Sequence, residues 1–227
     1  MPGVVFCPCP PLLVPDVAQG AAAELEDLRT ACEAAVRGLV RGARSVVVVG
    51  AGTRSRVHPG DAAGSLAGFG VPVRSGGAAA ADLPLSLTVG AWLLDRAGAG
   101  ARRRYVEVGP DGARPAPGAE RWPGPGEAML VMGDGSARLG ARAPGGLDAG
   151  AAGYDESVLA ALGSGDPAAL VALDLPQGQR QLAAGAAAWA AAGAALLAGR
   201  RTWAATVLSH QAPYGVSYIL ARWEPAR

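Results

Sequence analysis

The sequence predicts an α/β fold: a single domain over residues 1–227, with a mostly parallel or mixed central sheet and helices on both faces. Two observations carry this. Short, continuous apolar runs such as Val46–Val49 are β-branched and unalternating, as strands covered on both faces are. Between them lie stretches whose apolar residues recur at three- and four-residue spacing, the period of a helix with one buried face. A chain of 227 residues falls within the range of one α/β domain, and neither an internal repeat nor a clean linker divides it.

Val4 to Phe6 is the first apolar run. It stops at Cys7-Pro8-Cys9-Pro10-Pro11, where the prolines forbid helix and favour an extended loop. From Asp16 to Gly42 the pattern is helical, with Leu25, Leu28, Cys32, Val36 and Leu39 as the core stripe. Ser45 to Gly50 follows as a buried strand. Gly50 to Gly77, rich in Gly, Pro, Arg and Ser, is expected to be a long loop. Leu85 to Arg96 predicts a helix and Tyr105 to Val108 a strand, and residues 109–126 predict a loop. Ala128 to Met132 is another buried strand. Short helices over Tyr154–Leu162 and Pro167–Leu173 precede one long Ala-rich helix from Gln177 to Ala198. Thr202 to Ser209 and Gly215 to Trp223 are the last strands.

Composition narrows the function. Arginine supplies all 20 basic residues, so Schiff-base lysine and phosphate-loop lysine chemistry is excluded. A net charge of +1 gives no steering toward nucleic acid or acidic membranes. Arg102-Arg103-Arg104 is expected to be a solvated strand entrance. Leu182 to Gly199 is uncharged and just long enough to span a bilayer, but Ala and Gly gain little from lipid, so a buried helix in a soluble protein is expected. No charged leader precedes an apolar core, which predicts a cytoplasmic location.

Gly50-Ala51-Gly52 lacks the third glycine and the later acid of a dinucleotide-binding turn. Cys7 and Cys9 share a face of an extended chain, while Cys32 belongs to the core. Cys9 and His58 are the candidate metal ligands, with Cys7 and His210 as further members of a Cys/His site; the competing reading makes Cys7 and Cys9 small buried loop residues. Ser209 and His210 are adjacent, so in a strand they point to opposite faces and cannot act as nucleophile and base. Asp134 lies in Gly133-Asp134-Gly135-Ser136, just past a buried strand, where ligand sites collect in parallel sheets. It is the best candidate catalytic carboxylate, with turn formation as its competing role. His210 is the second candidate catalytic residue.

Three segments in order resemble one family: Pro8 to Pro15 (P-x-P-P-L-L-x-P), Gly133 to Leu139 (G-D-x-S-x-R-L) and Ala212 to Tyr218 (A-P-Y-G-V-x-Y). Together with the Val-rich strand and the run from Tyr154-Asp155 to Pro167, they make the chain similar to the class III extradiol ring-cleavage dioxygenase superfamily, which includes Memo-like proteins. The resemblance implies a site at strand ends. It also implies ferrous iron on two histidines and a glutamate, and another histidine as acid/base. This sequence departs at each of those places: Cys9 stands where the first histidine is expected, Ala51-Gly52 where the second is, Ala137 at the acid/base position, and His210-Gln211 near the carboxylate. The expectation is a protein that has lost iron-dependent ring cleavage and holds no cofactor. It would keep a cleft for a small molecule or a protein partner. The alternative is a divergent oxidoreductase acting on an aromatic diol, with zinc, iron or copper on a rebuilt Cys9/His58 site. A homo-oligomer through Ala/Gly-rich helix faces is a further expectation.

Overall fold

The apolar runs become the centre of one sheet. In a computed structural model describing residues 3–80, 82–98, 100–112, 123–124 and 126–226, β1 (Val4–Cys7), β2 (Ser45–Ala51), β6 (Arg102–Val108) and β7 (Glu127–Met132) lie parallel. Three strands joined by antiparallel pairing complete a mixed, seven-stranded sheet. At one edge β3 (Arg56–His58) runs against β6. At the other, β9 (Tyr218–Pro225) runs against β1, followed by β8 (Trp203–Gln211), which runs against β9 and so in the direction of β1. The order is β3-β6-β2-β7-β1-β9-β8.

Both faces are covered, and each strand sends alternate residues to each. Val4, Phe6, Val47, Val49, Met129 and Val131 face α4 (Ala151–Ser164), α5 (Pro167–Val171) and α7 (Ala186–Ala198). Val5, Cys7, Val46, Val48, Leu130 and Met132 face α2 (Glu26–Val40) and α3 (Leu85–Arg96). The absence of polar alternation in these runs is therefore the consequence of burial on two sides. The stripe from Leu25 to Leu39 is buried as the spacing predicts. The Asp16–Gly42 segment is subdivided, however, into α1 (Pro15–Ala18), a 3-10 stretch over Gln19–Leu25, and α2.

Three sequence expectations are corrected. The Gly50–Gly77 loop carries β3 and a separate hairpin of β4 (Ala63–Ser65) and β5 (Arg74–Gly76), short strands held by backbone pairing that no apolar run announces. Arg103 and Arg104 lie within β6, not before it, and pair with Asp95 and Glu127. The continuous helix over 177–198 is two helices, α6 (Leu175–Arg180) and α7, joined by an elbow in which Leu182 takes a left-handed φ of 56°. Tertiary partners replace the missing helical bonds: Gly185 N–H donates to Asp134 O at 2.8 Å, and Gln181 O accepts from Ala137 N–H at 3.0 Å. A Cβ on Gly133 would collide with the Gly185 backbone, and one on Gly185 with the Trp189 ring, so the close approach needs glycine at both positions.

Helix α7 buries most of its length against the sheet and α5, so most of its Ala-rich surface belongs to the chain's own core. No helix among the described residues is long and apolar enough to cross a membrane. The 109–126 loop expectation falls largely outside the described residues.

Candidate functional site

The carboxyl ends of β1, β2, β6 and β7 share one edge of the sheet, and the start of β9 returns to it. Register then decides which residues meet. The β1/β7 pairing runs Val4↔Met129 to Cys7↔Met132, and continuing that offset sets Cys9 beside Asp134. The β1/β9 pairing sets Cys9 level with Tyr218. Asp134 Oδ1 accepts the Cys9 N–H at 2.8 Å, and the Cys9 thiol lies 3.8 Å from Oδ2.

All three groups favour their protonated forms. Burial raises Asp134 to about 7, against two opposing hydrogen bonds from Cys9. Burial, then the Asp134 charge, pushes the Cys9 thiol well above its ordinary range. Tyr218 is also raised, by burial first and then by Asp134. A thiol held protonated beside a carboxyl that resists ionising is a poor start for a cation site, because metal ligation needs the deprotonated forms.

His58 does not join them. It sits on β3, four strands from β1, or about 19 Å of sheet at the usual strand spacing. There it is buried, with Nε2 3.0 Å from Glu107 Oε2 and Nδ1 3.6 Å from Asp82 Oδ1. Glu107 also accepts from the N–H groups of Thr53 and Arg54, at 3.0 and 3.3 Å, so the His58–Glu107 pair ties β3 to the chain leaving β2. The rebuilt Cys9/His58 site is therefore not assembled, and among the described residues no group of three or more His, Cys, Asp or Glu side chains could hold a metal ion. The residues present do not fit the iron that the resemblance implies. A methyl group on Gly52 would collide with the Glu107 carboxylate. Gly52→Ala is expected to dislodge Glu107 from His58 and lower stability by about 1–2 kcal/mol. A urea melt checks it; an unchanged midpoint would show that Glu107 is not clamped.

His210 and Ser209 do point apart, but His210 finds another serine. A β-bulge between Val207 and Ser209 shifts the β8 register, pairing His210 with Ile219, whose side chain belongs to the α4-side core. His210 Nε2 then shares a hydrogen bond with Ser217 Oγ at 3.1 Å. Asp155, on α4, closes the cluster. Its Oδ1 accepts the Ser136 N–H at 2.8 Å, while Oδ2 is buried without a hydrogen-bond partner. Burial raises the Asp155 pKa; the Ser136 N–H bond, the nearby Ser217 hydroxyl and the His210 charge oppose it. The serine lies between histidine and acid, and it is fully buried, so no substrate reaches its hydroxyl. The cluster joins α4 and β8 to the segment after β7. Ser136, Asp155 and Ser217 lie in the segments that carry the resemblance, but nothing in the sequence reported that they meet, because two of the links depend on a bulge and on a loop crossing.

Beside these groups lies a pocket of about 160 Å³, lined by Ala51 and Gly52 at the tip of β2, by Pro110, and by Leu175, Gln179 and Ala183 from the α6–α7 segment. Its wall carries no charged side chain. Gln179 Nε2 donates to Pro110 O at 2.9 Å, so much of its polar capacity is already used.

No protein-family model matches the chain, and no curated protein matches it. Among solved structures, the uncharacterized protein JW3007 from Escherichia coli K12 has a similar fold. The TM-score is 0.50 and the identity 15%, over 99% of this chain and 100% of that one. At that identity the likeness concerns the fold alone.

Proposed function

We propose that this chain is an extradiol dioxygenase-like protein without iron-dependent ring cleavage, which uses its strand-end pocket to bind a small uncharged molecule. The observation that carries the reading is the pocket's position. Ala51 and Gly52 stand where the resemblance expects a metal-binding histidine, and here they line an uncharged hollow of about 160 Å³. A cavity of roughly 150 Å³ accommodates a single benzene-sized ring. The supporting chemistry is consistent: Ala137 has no proton to exchange, and Cys9 is committed to Asp134. We place the protein in the cytoplasm, where three buried free cysteines would stay reduced.

Metal analysis of the purified protein after incubation with ferrous iron, followed by oxygen-uptake measurement with catechol, tests the proposal. The expected result is metal far below one equivalent and no catechol-dependent uptake. Stoichiometric, tightly held metal with ring cleavage would overturn it.

A further inference from the structure

We propose that the protein forms a two-fold homodimer in which the outer edge of β8 pairs antiparallel with the β8 of a second copy. The inference is independent of the pocket.

Strand β8 is nine residues long and ends the sheet; β9 is its only strand partner among the described residues. A free edge presents a row of unpaired N–H and C=O groups that another strand can complete. Sheets ordinarily guard such edges with charge, proline, brevity or a bulge. The opposite edge combines three of these: β3 has three residues, carries Arg56 and runs into Pro59, whereas β8 has the bulge alone. From Trp203 to Gln211 β8 has no Asp, Glu, Arg or Pro, and Val207 and Leu208 are 36% and 42% exposed.

The ends of the strand argue for a second copy as the occupant. Arg200 and Arg201 precede β8, are exposed, and form no ion pair among the described residues. Beyond its other end, the Tyr214 hydroxyl donates to Glu24 Oε2 at 2.8 Å, placing an exposed carboxylate there. Antiparallel self-pairing brings the arginine end of each copy to the Glu24 end of the other, twice by symmetry. Parallel pairing would stack arginines on arginines. The bulge at Val207/Ser209 twists the edge. With a single strand's length of ladder, this sets the expected affinity in the micromolar range, about 1–100 μM.

Sedimentation velocity on the full chain, across a dilution series spanning that range, should show a concentration-dependent monomer–dimer equilibrium. The double variant Val207→Lys, Leu208→Lys should weaken dimerisation at least about tenfold by setting like charges across the axis, with an unchanged thermal midpoint because both positions are exposed. Arg200→Glu with Arg201→Glu should weaken it too, and adding Glu24→Arg to that chain should restore it. This charge swap decides the question even if the lysine variant fails to fold. A wild-type chain that stays monomeric throughout, a dimer indifferent to the lysines, or a charge reversal that Glu24→Arg does not rescue would each overturn the proposal.

Discussion

Asp134→Asn is expected to stabilise the protein by about 2–4 kcal/mol at pH 8 and to change little at pH 4. The sign follows from the direction of the shift. The folded carboxyl is raised from 3.8 to about 7. Below the unfolded value both states hold the proton, and the fold carries no penalty from this group. As pH rises from about 4 toward 7, the unfolded chain releases its proton while the folded one resists, so stability falls across that window. Above it, the folded state carries the full cost of a poorly solvated charge. A partial solvent opening at Asp134 screens some of this, which sets the lower end of the range. Asparagine keeps an oxygen to accept the Cys9 N–H and removes the charge. Denaturant unfolding of both proteins between pH 4 and 8 supplies the difference curve, in which carboxylates common to both cancel. A difference that does not change with pH would mean that Asp134 ionises normally, and the account of Cys9, Asp134 and Tyr218 as a protonated cluster would fail with it.

Trp223→Ala should cost about 3–5 kcal/mol, a large share of the 5–15 kcal/mol typical of a domain. Trp223 is fully buried on β9, the antiparallel strand that starts at the site edge and runs back along β1. Its ring meets Phe6 edge-on at 5.2 Å between centroids and lies 6.3 Å from Trp203. Its Nε1 donates to Leu162 O at 2.7 Å, locking α4 to the sheet. Truncation opens a cavity between β1 and β8 and leaves that carbonyl without its donor. Trp223→Phe, which refills most of the space, should lose appreciably less. Equilibrium unfolding followed by far-ultraviolet circular dichroism measures both. Equal losses for Ala and Phe would assign the cost to the hydrogen bond and not to packing.

Helix α3 was legible to the residue, and the doubly buried strands β2 and β7 to within one residue at one end, because each is encoded by a run of neighbours whose period matches its own element. Weak local signals fared worse. β3, β4 and β5 are three residues each and exist through pairing, so Gly, Pro and Arg around them pointed to a loop. The alanines from 186 to 198 favour helix, but nothing in them reports the elbow at 181–185, where tertiary carbonyls and amides outcompete the helical ones.

Among the site residues, Asp134 stood out because it follows a buried strand, and Cys9 because it interrupts prolines. That they touch depends on the offset between β1 and β7, which joins residues 125 apart in the chain. His58 and Cys9 looked alike as candidate ligands, yet sheet order put four strand spacings between them. What the sequence alone determined is the α/β class, the buried strands and which groups have chemistry to offer, since those follow from local composition and period. Which of those groups meet, and whether they meet charged or neutral, was decided only by the tertiary structure. Register and burial are properties of pairings between distant segments, and no single segment carries them.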